Sequence, residues 1–284
     1  MCGIIGFTGR KPAKDILIDG LERLEYRGYD SAGIALLNDD DTLTIRKKAG
    51  RVSELRELCK DGEYSSTCGI GHTRWATHGG VTDANAHPHR CGNVALIHNG
   101  IIENYSDIIR EYGLADKLVS ETDSEVVAAL LDMLYEGDPI TAIRKAVKII
   151  AGSFALCIMF ADRPGIIYAV RNVSPMVAAH SEEGSIIASD LTAIISFSKD
   201  YFVVPEYHIL TMTEGGIKVE DLKGNEVRPQ MLEITWDITA AQKGGFPHFM
   251  LKEIYEQPES LRNTITPRIV NSLPDFTEDG IDDE

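Results

Sequence analysis

The residues best equipped for chemistry stand at the N-terminus and in three later clusters. Cys2 follows a methionine of the kind removed when the next side chain is small, so processing would leave a thiol and a free α-amine on one residue. An α-amine titrates at about 7.7–8.0 and can serve as a base near neutral pH. A terminal residue acting as both nucleophile and base is an established alternative to a separate Cys-His pair. Taken alone, an early cysteine reads more readily as a small buried hydrophobe. The nucleophilic reading requires three further parts: an oxyanion site, a grip on substrate and a lid.

Each part has a candidate. In "HNG" at 98–100, Asn99 offers a side-chain amide donor, and Gly100 a backbone N–H that an oxyanion can approach without a Cβ in the way. Asn-Gly is also a common tight-turn dipeptide. "GHTRWATHGG" at 71–80 gathers Arg74, Trp75, Thr77 and His78. Arg74 could take a carboxylate in bidentate fashion, and the glycines after His78 would let the loop close; the plainer reading is a surface loop with an amphipathic tryptophan. In "SETDSE" at 120–125, Asp123 could pair with an ammonium group, while Thr122 and Glu125 form a capping box that would start a helix there. His72, His78, His87, His89 and Cys91 raise the question of a metal. Their spacings match no common structural zinc pattern, so loop-stabilising hydrogen bonds are expected and a metal is not.

These groups need elements to hold them. The apolar run 3–7 reads as a buried strand, and 13–24 spaces Ile16, Leu17, Leu21 and Leu24 as an amphipathic helix. "SAGIALL" and "TLTIRKK" flank the turn-rich "NDDD" as a hairpin, followed by the short helix "VSELRELCK". "CGIGHTRW" and "VALIHNG" are strands on either side of the histidine-rich loop. Residues 103–150 turn helical, in "NYSDIIREY", "SEVVAALLDMLYE" and "PITAIRKAVKII". After Gly152 the chain returns to short strands, with one short helix near 191–197. Strands, then helices, then strands predict an α+β domain with antiparallel sheets. This domain is expected to cover residues 2–237. Beyond it, 238–284 reads as a linker: "ITAAQKGGFPH" has no alternation, "FMLKEIYEQPESLRNTI" looks helical despite Pro258, and the acidic end is expected to be disordered.

Composition narrows the class. The 284 residues are 43% hydrophobic, enough for a sizeable core, and the net charge of −16 disfavours nucleic acid or an anionic membrane surface as partner. Five cysteines without a C-x-x-C pair do not read as a disulfide framework, so a reducing cytoplasm is the expected compartment. No apolar run approaches the ~20 residues of a membrane span, and no signal peptide is evident.

"CGIIGFTG", "LEYRGYDSAG", "GHTRWATHG", "NAHPH", "HNGIIENY" and "SETDSE", in this order, resemble the class II, N-terminal-nucleophile glutamine amidotransferases. "LEYRGYDSAG" with "PHFMLKEIYEQPESLRNT" resembles the subgroup that makes glucosamine 6-phosphate. The resemblance runs from Cys2 to about Thr264 and implies a four-layer αββα sandwich with two stacked antiparallel sheets. It implies a cofactor-free enzyme hydrolysing L-glutamine through a cysteine thioester. Cys2 would be the nucleophile and Asn99 and Gly100 the oxyanion hole. Arg74 would hold the substrate carboxylate beside Thr77 and His78, Asp123 the α-amine, and Trp75 the covering loop, with Arg27 near the nucleophile. It further implies C-terminal isomerase domains of the parent chain as partners, receiving ammonia for fructose 6-phosphate; those domains are missing from these 284 residues. An oligomer is possible in the full-length enzyme. The glutaminase part of another class II amidotransferase and a glutamine-binding module without turnover are the alternatives.

Overall fold

The computed structural model describes residues 2–235, 245–246, 249–270 and 273–276. By its contacts the chain divides into residues 1–235 and 236–284. In the first unit the elements follow in the order β1 (Gly3–Gly9), α1 (Ala13–Leu24), β2 (Ser31–Leu37), β3 (Leu43–Ala49), α2 (Val52–Leu58), β4 (Cys68–Arg74), β5 (His89–Cys91) and β6 (Val94–Ile102). Three helices come next, α3 (Tyr105–Tyr112), α4 (Asp123–Leu134) and α5 (Pro139–Ile149). The rest is β7 (Gly152–Phe160), β8 (Ile167–Asn172), β9 (Val177–Ser181), β10 (Gly184–Ala188), α6 (Leu191–Ile194), β11 (Asp200–Val203), β12 (His208–Thr213), β13 (Gly216–Asp221) and β14 (Leu232–Glu233).

Two antiparallel sheets carry the unit. One runs β14-β11-β9-β10-β1-β4-β2-β3, the other β13-β12-β8-β7-β6-β5. Side-chain alternation sorts their residues into three cores, since successive residues of a strand point to opposite faces. From β7, Phe154, Leu156, Ile158 and Phe160 pack with α4 and α5, while Ala155, Cys157 and Met159 pack between the sheets. From β2, Ala32, Ile34 and Leu36 meet α1 and α2, while Ala35 and Leu37 face the other sheet. The layers are therefore helix, sheet, sheet, helix. The central strands are buried on both faces, which is why their sequences read as apolar runs.

Helix starts follow local chemistry. Thr122 Oγ1 accepts the Glu125 N–H at 3.2 Å at the head of α4, and Asp138 accepts the Ile140 N–H ahead of Pro139 in α5. The expected capping box is only half formed. The Glu125 carboxylate accepts the N–H groups of Val119 and Ser120, at 3.0 and 2.6 Å, because the segment before the helix folds back over it. Three strands of this unit escaped the sequence reading: β5, three residues inside the supposed loop, β11, four residues after α6, and the two-residue β14.

In the second unit, α7 (Phe249–Ile265) is helical through Pro258, and the two-residue strands 269–270 and 273–274 pair. The acidic end 273–284, expected to be disordered, begins instead with the paired residues Leu273 and Pro274; its remainder 277–284, and 238–244 of the linker reading, lie outside the described residues. Among the described residues no helix is long and apolar enough to cross a membrane.

Phe7 is fully buried in the core under α1 and meets Phe197 edge-on at 5.8 Å. Phe7→Ala should lower the unfolding free energy by about 3–5 kcal/mol in urea titrations. A loss below about 1 kcal/mol would contradict this packing.

Candidate active site

The sheet register fixes where the N-terminal thiol lies. β1 pairs with β4 so that Gly3 faces Thr73, which sets Cys2 beside the end of β4, where the chain turns at Trp75. The Trp75 N–H donates to Cys2 Sγ at 3.2 Å, and the thiol faces the Trp75 carbonyl at 3.6 Å. From the other sheet, the Asn99 Nδ2–H donates to the Cys2 carbonyl at 3.0 Å. Cys2 thus sits at the seam of the two sheets. Burial pushes its thiol above the ordinary range, against the opposing pull of the Trp75 N–H. Such a thiol stays protonated at neutral pH and needs a base before it can attack.

A cavity of about 320 Å³ opens beside Cys2, with Trp75, Thr77, Asn99 and Gly100 in its wall. Ile101, Ser153, Ser174 and Pro175 complete the lining. Gly100 has φ +131°, and a Cβ there would lie 2.0 Å from the Ser153 carbonyl oxygen, so glycine is required twice over. Trp75 is 51% exposed at the mouth and meets Tyr29 edge-on at 6.1 Å. Ser153, Ser174 and Pro175 were missed by sequence reasoning. They arrive from the start of β7 and the β8–β9 connection, distant in sequence and without a motif.

The other expected residues do not line this cavity. Arg74 is buried, and its guanidinium donates to the carbonyls of His78, Gly79 and Gly80, shaping the loop behind the wall. Asp30 accepts the Ala76 N–H and steadies the same turn. His78 meets Tyr105 edge-on at 5.8 Å. Asp123, buried at the start of α4, accepts the Ile102 N–H at 2.8 Å. Arg27 closes a 3-10 turn at 25–27, and its side chain lies outside those described.

The loop after Gly80 is tied down from three sides. Lys47 Nζ donates to the carbonyls of Ala84, Ala86 and Pro88 at 3.0, 2.8 and 3.3 Å. Asp83 accepts the Ala49 N–H, and Asn85 exchanges hydrogen bonds with Glu121. His72, His87, His89 and His98 are buried rings, whereas His78 is half-buried; among the described residues no group of three His, Cys, Asp or Glu is placed to bind an ion. His72 stacks on His87 at 4.0 Å, and His87 meets His89 at 4.5 Å. The expected hydrogen bonds form at His72, His78 and His89, whereas neither nitrogen of His87 has a hydrogen-bond partner among the described residues; His98, outside the expected set, bonds to Ser124 Oγ. Burial drives the four buried rings toward the neutral form, His72 down to about 3.

Residues 72–196 match the family described as the glutamine amidotransferase domain. The fold is that of a glutamine phosphoribosylpyrophosphate amidotransferase from B. subtilis, at TM-score 0.68 and 24% identity over 80% of this chain and 50% of that one. A structure described as the allosteric regulatory enzyme of purine biosynthesis matches at TM-score 0.69 and 25% identity, over 79% of this chain and 50% of that one. The chain therefore carries a glutamine amidotransferase domain on an N-terminal-nucleophile fold. Its relatives include glutamine–fructose-6-phosphate aminotransferases (isomerizing): that of Clostridium acetobutylicum is 43% identical over 279 residues, and that of Thermus thermophilus 44% identical over 272. These alignments cover 96% and 95% of this chain and 45% of each relative, so the chain spans about half the length of the curated relatives it matches.

The buried neutral histidines make stability depend on pH. In the unfolded chain they take up protons near pH 6.5, in the folded chain only well below, so the unfolded state binds more protons in between. Stability should be full above about pH 7 and fall as the pH drops through 6 toward 4, by up to about 1.4 kcal/mol per pH unit for each histidine. Urea midpoints measured from pH 8 to 4 test this, and His87→Phe should make the fall shallower.

Proposed function

We propose that the domain hydrolyses L-glutamine to glutamate and ammonia through a thioester on Cys2. The observation that carries this is the shared cavity of the Cys2 thiol, Asn99 and Gly100 in a chain with a glutamine amidotransferase domain. Once Met1 is removed, the Cys2 α-amine accepts the thiol proton, and Sγ adds to the carboxamide carbon. The oxyanion formed is received by an Asn99 N–H and the Gly100 N–H. The proton held by the amine passes to the departing nitrogen, ammonia leaves, and a γ-glutamyl thioester remains. Water, deprotonated by the same amine, then adds to the thioester carbon, the C–S bond breaks to release glutamate, and the amine returns its proton to the thiolate. The raised thiol explains why an adjacent base is needed at all.

Asp123 binds the substrate α-amine. The α-carboxylate is taken by Arg74 N–H groups not committed to loop carbonyls, with Thr77 and His78 beside it. Trp75 and its turn cover the cavity and exclude water, and Arg27 supports the nucleophile from the neighbouring turn. Residues 2–237 form this catalytic unit, and 238–284 link it to sugar-phosphate isomerase domains in a longer parent chain. There the ammonia converts fructose 6-phosphate to glucosamine 6-phosphate, the reading the relatives' names favour. The compartment proposed is the cytoplasm.

Cys2→Ala should abolish glutamate release, and retained turnover would refute the assignment. Asp123→Asn should raise KM for glutamine several-fold, with the alkylation rate of the thiol by iodoacetamide unchanged. The intact mass after treatment with 6-diazo-5-oxo-norleucine should show loss of Met1 and one adduct, on Cys2.

A further inference from the structure

The buried rings beside the cavity include one whose bonds determine how Asn99 presents itself. One end of the Asn99 amide lies 3.0 Å from the Cys2 carbonyl oxygen, which can only accept. That end must be Nδ2, so the opposite end, 3.0 Å from His72 Nε2, is Oδ1. The same His72 nitrogen lies 3.0 Å from the His98 carbonyl oxygen. Two acceptors converge on Nε2, so the proton must be there. His72 Nδ1 has no hydrogen-bond partner among the described residues, and the ring's other neighbour is the stacked His87.

We propose that His72 is a positioning residue, whose Nε2–H grips Asn99 Oδ1 and thereby turns Asn99 Nδ2 toward Cys2 and the cavity. A flipped amide would set Oδ1 against the Cys2 carbonyl and an N–H against the Nε2–H, two repulsive contacts in place of two hydrogen bonds. With one Nδ2 hydrogen on the Cys2 carbonyl, the second is left for the oxyanion. His72 suits the task because it is fully buried in a central strand, opposite Ile4 of β1 and Gly33 of β2. Burial also keeps it neutral, so its tautomer does not change over the working pH range.

The consequence for rate rests on the reading of Asn99 as an oxyanion donor; the tautomer does not. Ring-nitrogen NMR of the whole chain labelled with 15N should show His72 protonated at Nε2 and not titrating between pH 5 and 8. A proton on Nδ1, or titration in that range, overturns the proposal whatever the activity. In glutaminase assays His72→Phe should lower kcat about tenfold or more with KM changed less than about threefold. His72→Gln, whose amide N–H can reach the same oxygen, should recover most of that loss. Iodoacetamide should alkylate Cys2 at the parent rate in both variants, and thermal unfolding identifies any variant that has lost its fold. A folded His72→Phe with unchanged kcat, or equal losses in both variants, refutes the positioning role. A parent chain that binds 6-diazo-5-oxo-norleucine nowhere and releases no glutamate would refute the catalytic reading while leaving the tautomer result standing.

Discussion

The hydrogen bond between Asn99 and the Cys2 carbonyl joins two sheets that share no backbone ladder. It can form only when the sheets lie face to face at the right spacing. The layer between them accordingly uses small side chains, Ala95, Ala155, Ala169, Ala178, Cys68 and Cys157, beside Ile and Met residues that fill the gaps. Folding and site assembly are thus one event. A thiol on the end of a strand would otherwise be a frayed terminus, and here both its carbonyl and its sulfur are held by groups from other elements.

Electrostatics near the thiol favour neutrality. The nearby histidines are uncharged through burial, the thiol is protonated, and the Arg74 charge is directed into the carbonyls of the adjoining loop. A neutral carboxamide can enter beside a protonated thiol, and negative charge would develop on its oxygen when the thiol adds to it. Donors already fixed in place are then worth more than donors that must reorient, because no reorganisation is needed at that moment. The carbonyls holding Arg74 and Lys47 serve the same end by stiffening the wall rather than by touching the cavity.

Much of this was legible in the sequence, and the failures have physical causes. Apolar runs marked β1, β4 and β6, because strands buried on both faces have no polar phase; Cys2 precedes β1 and Arg74 ends β4, whereas Asn99, expected at a strand end, lies inside β6, which continues to Ile102. The motifs named Trp75, Thr77, Asn99 and Gly100, which the fold brings to one cavity. Ser153, Ser174 and Pro175 could not be read, since ordinary residues enter a cavity wall through tertiary packing alone. The histidine loop was misjudged as a loop throughout, because a three-residue strand such as β5 is too short to show a period. The hydrogen bonds from the Arg74 guanidinium to the carbonyls of the turn after it could not be read either, since backbone acceptors leave no mark in the residue types. Glu125 was placed by the capping rule, and a backbone that folds back over the helix start offered it better donors.

The double-sided burial of β6 and β7 also bears on how such a domain can change its length. A residue gained or lost within β7 would exchange its phenylalanines for its alanines across two cores at once, and every later ladder partner would face the wrong layer. The Asn38–Thr42 turn between β2 and β3 closes on its own hydrogen bonds at the surface and has no such constraint. Insertions and deletions are therefore tolerable at that hairpin and nearly forbidden inside β6 and β7, so the ladder register that sets Ile101 opposite Ser153 is a more rigid feature of the site than many of the side chains around it.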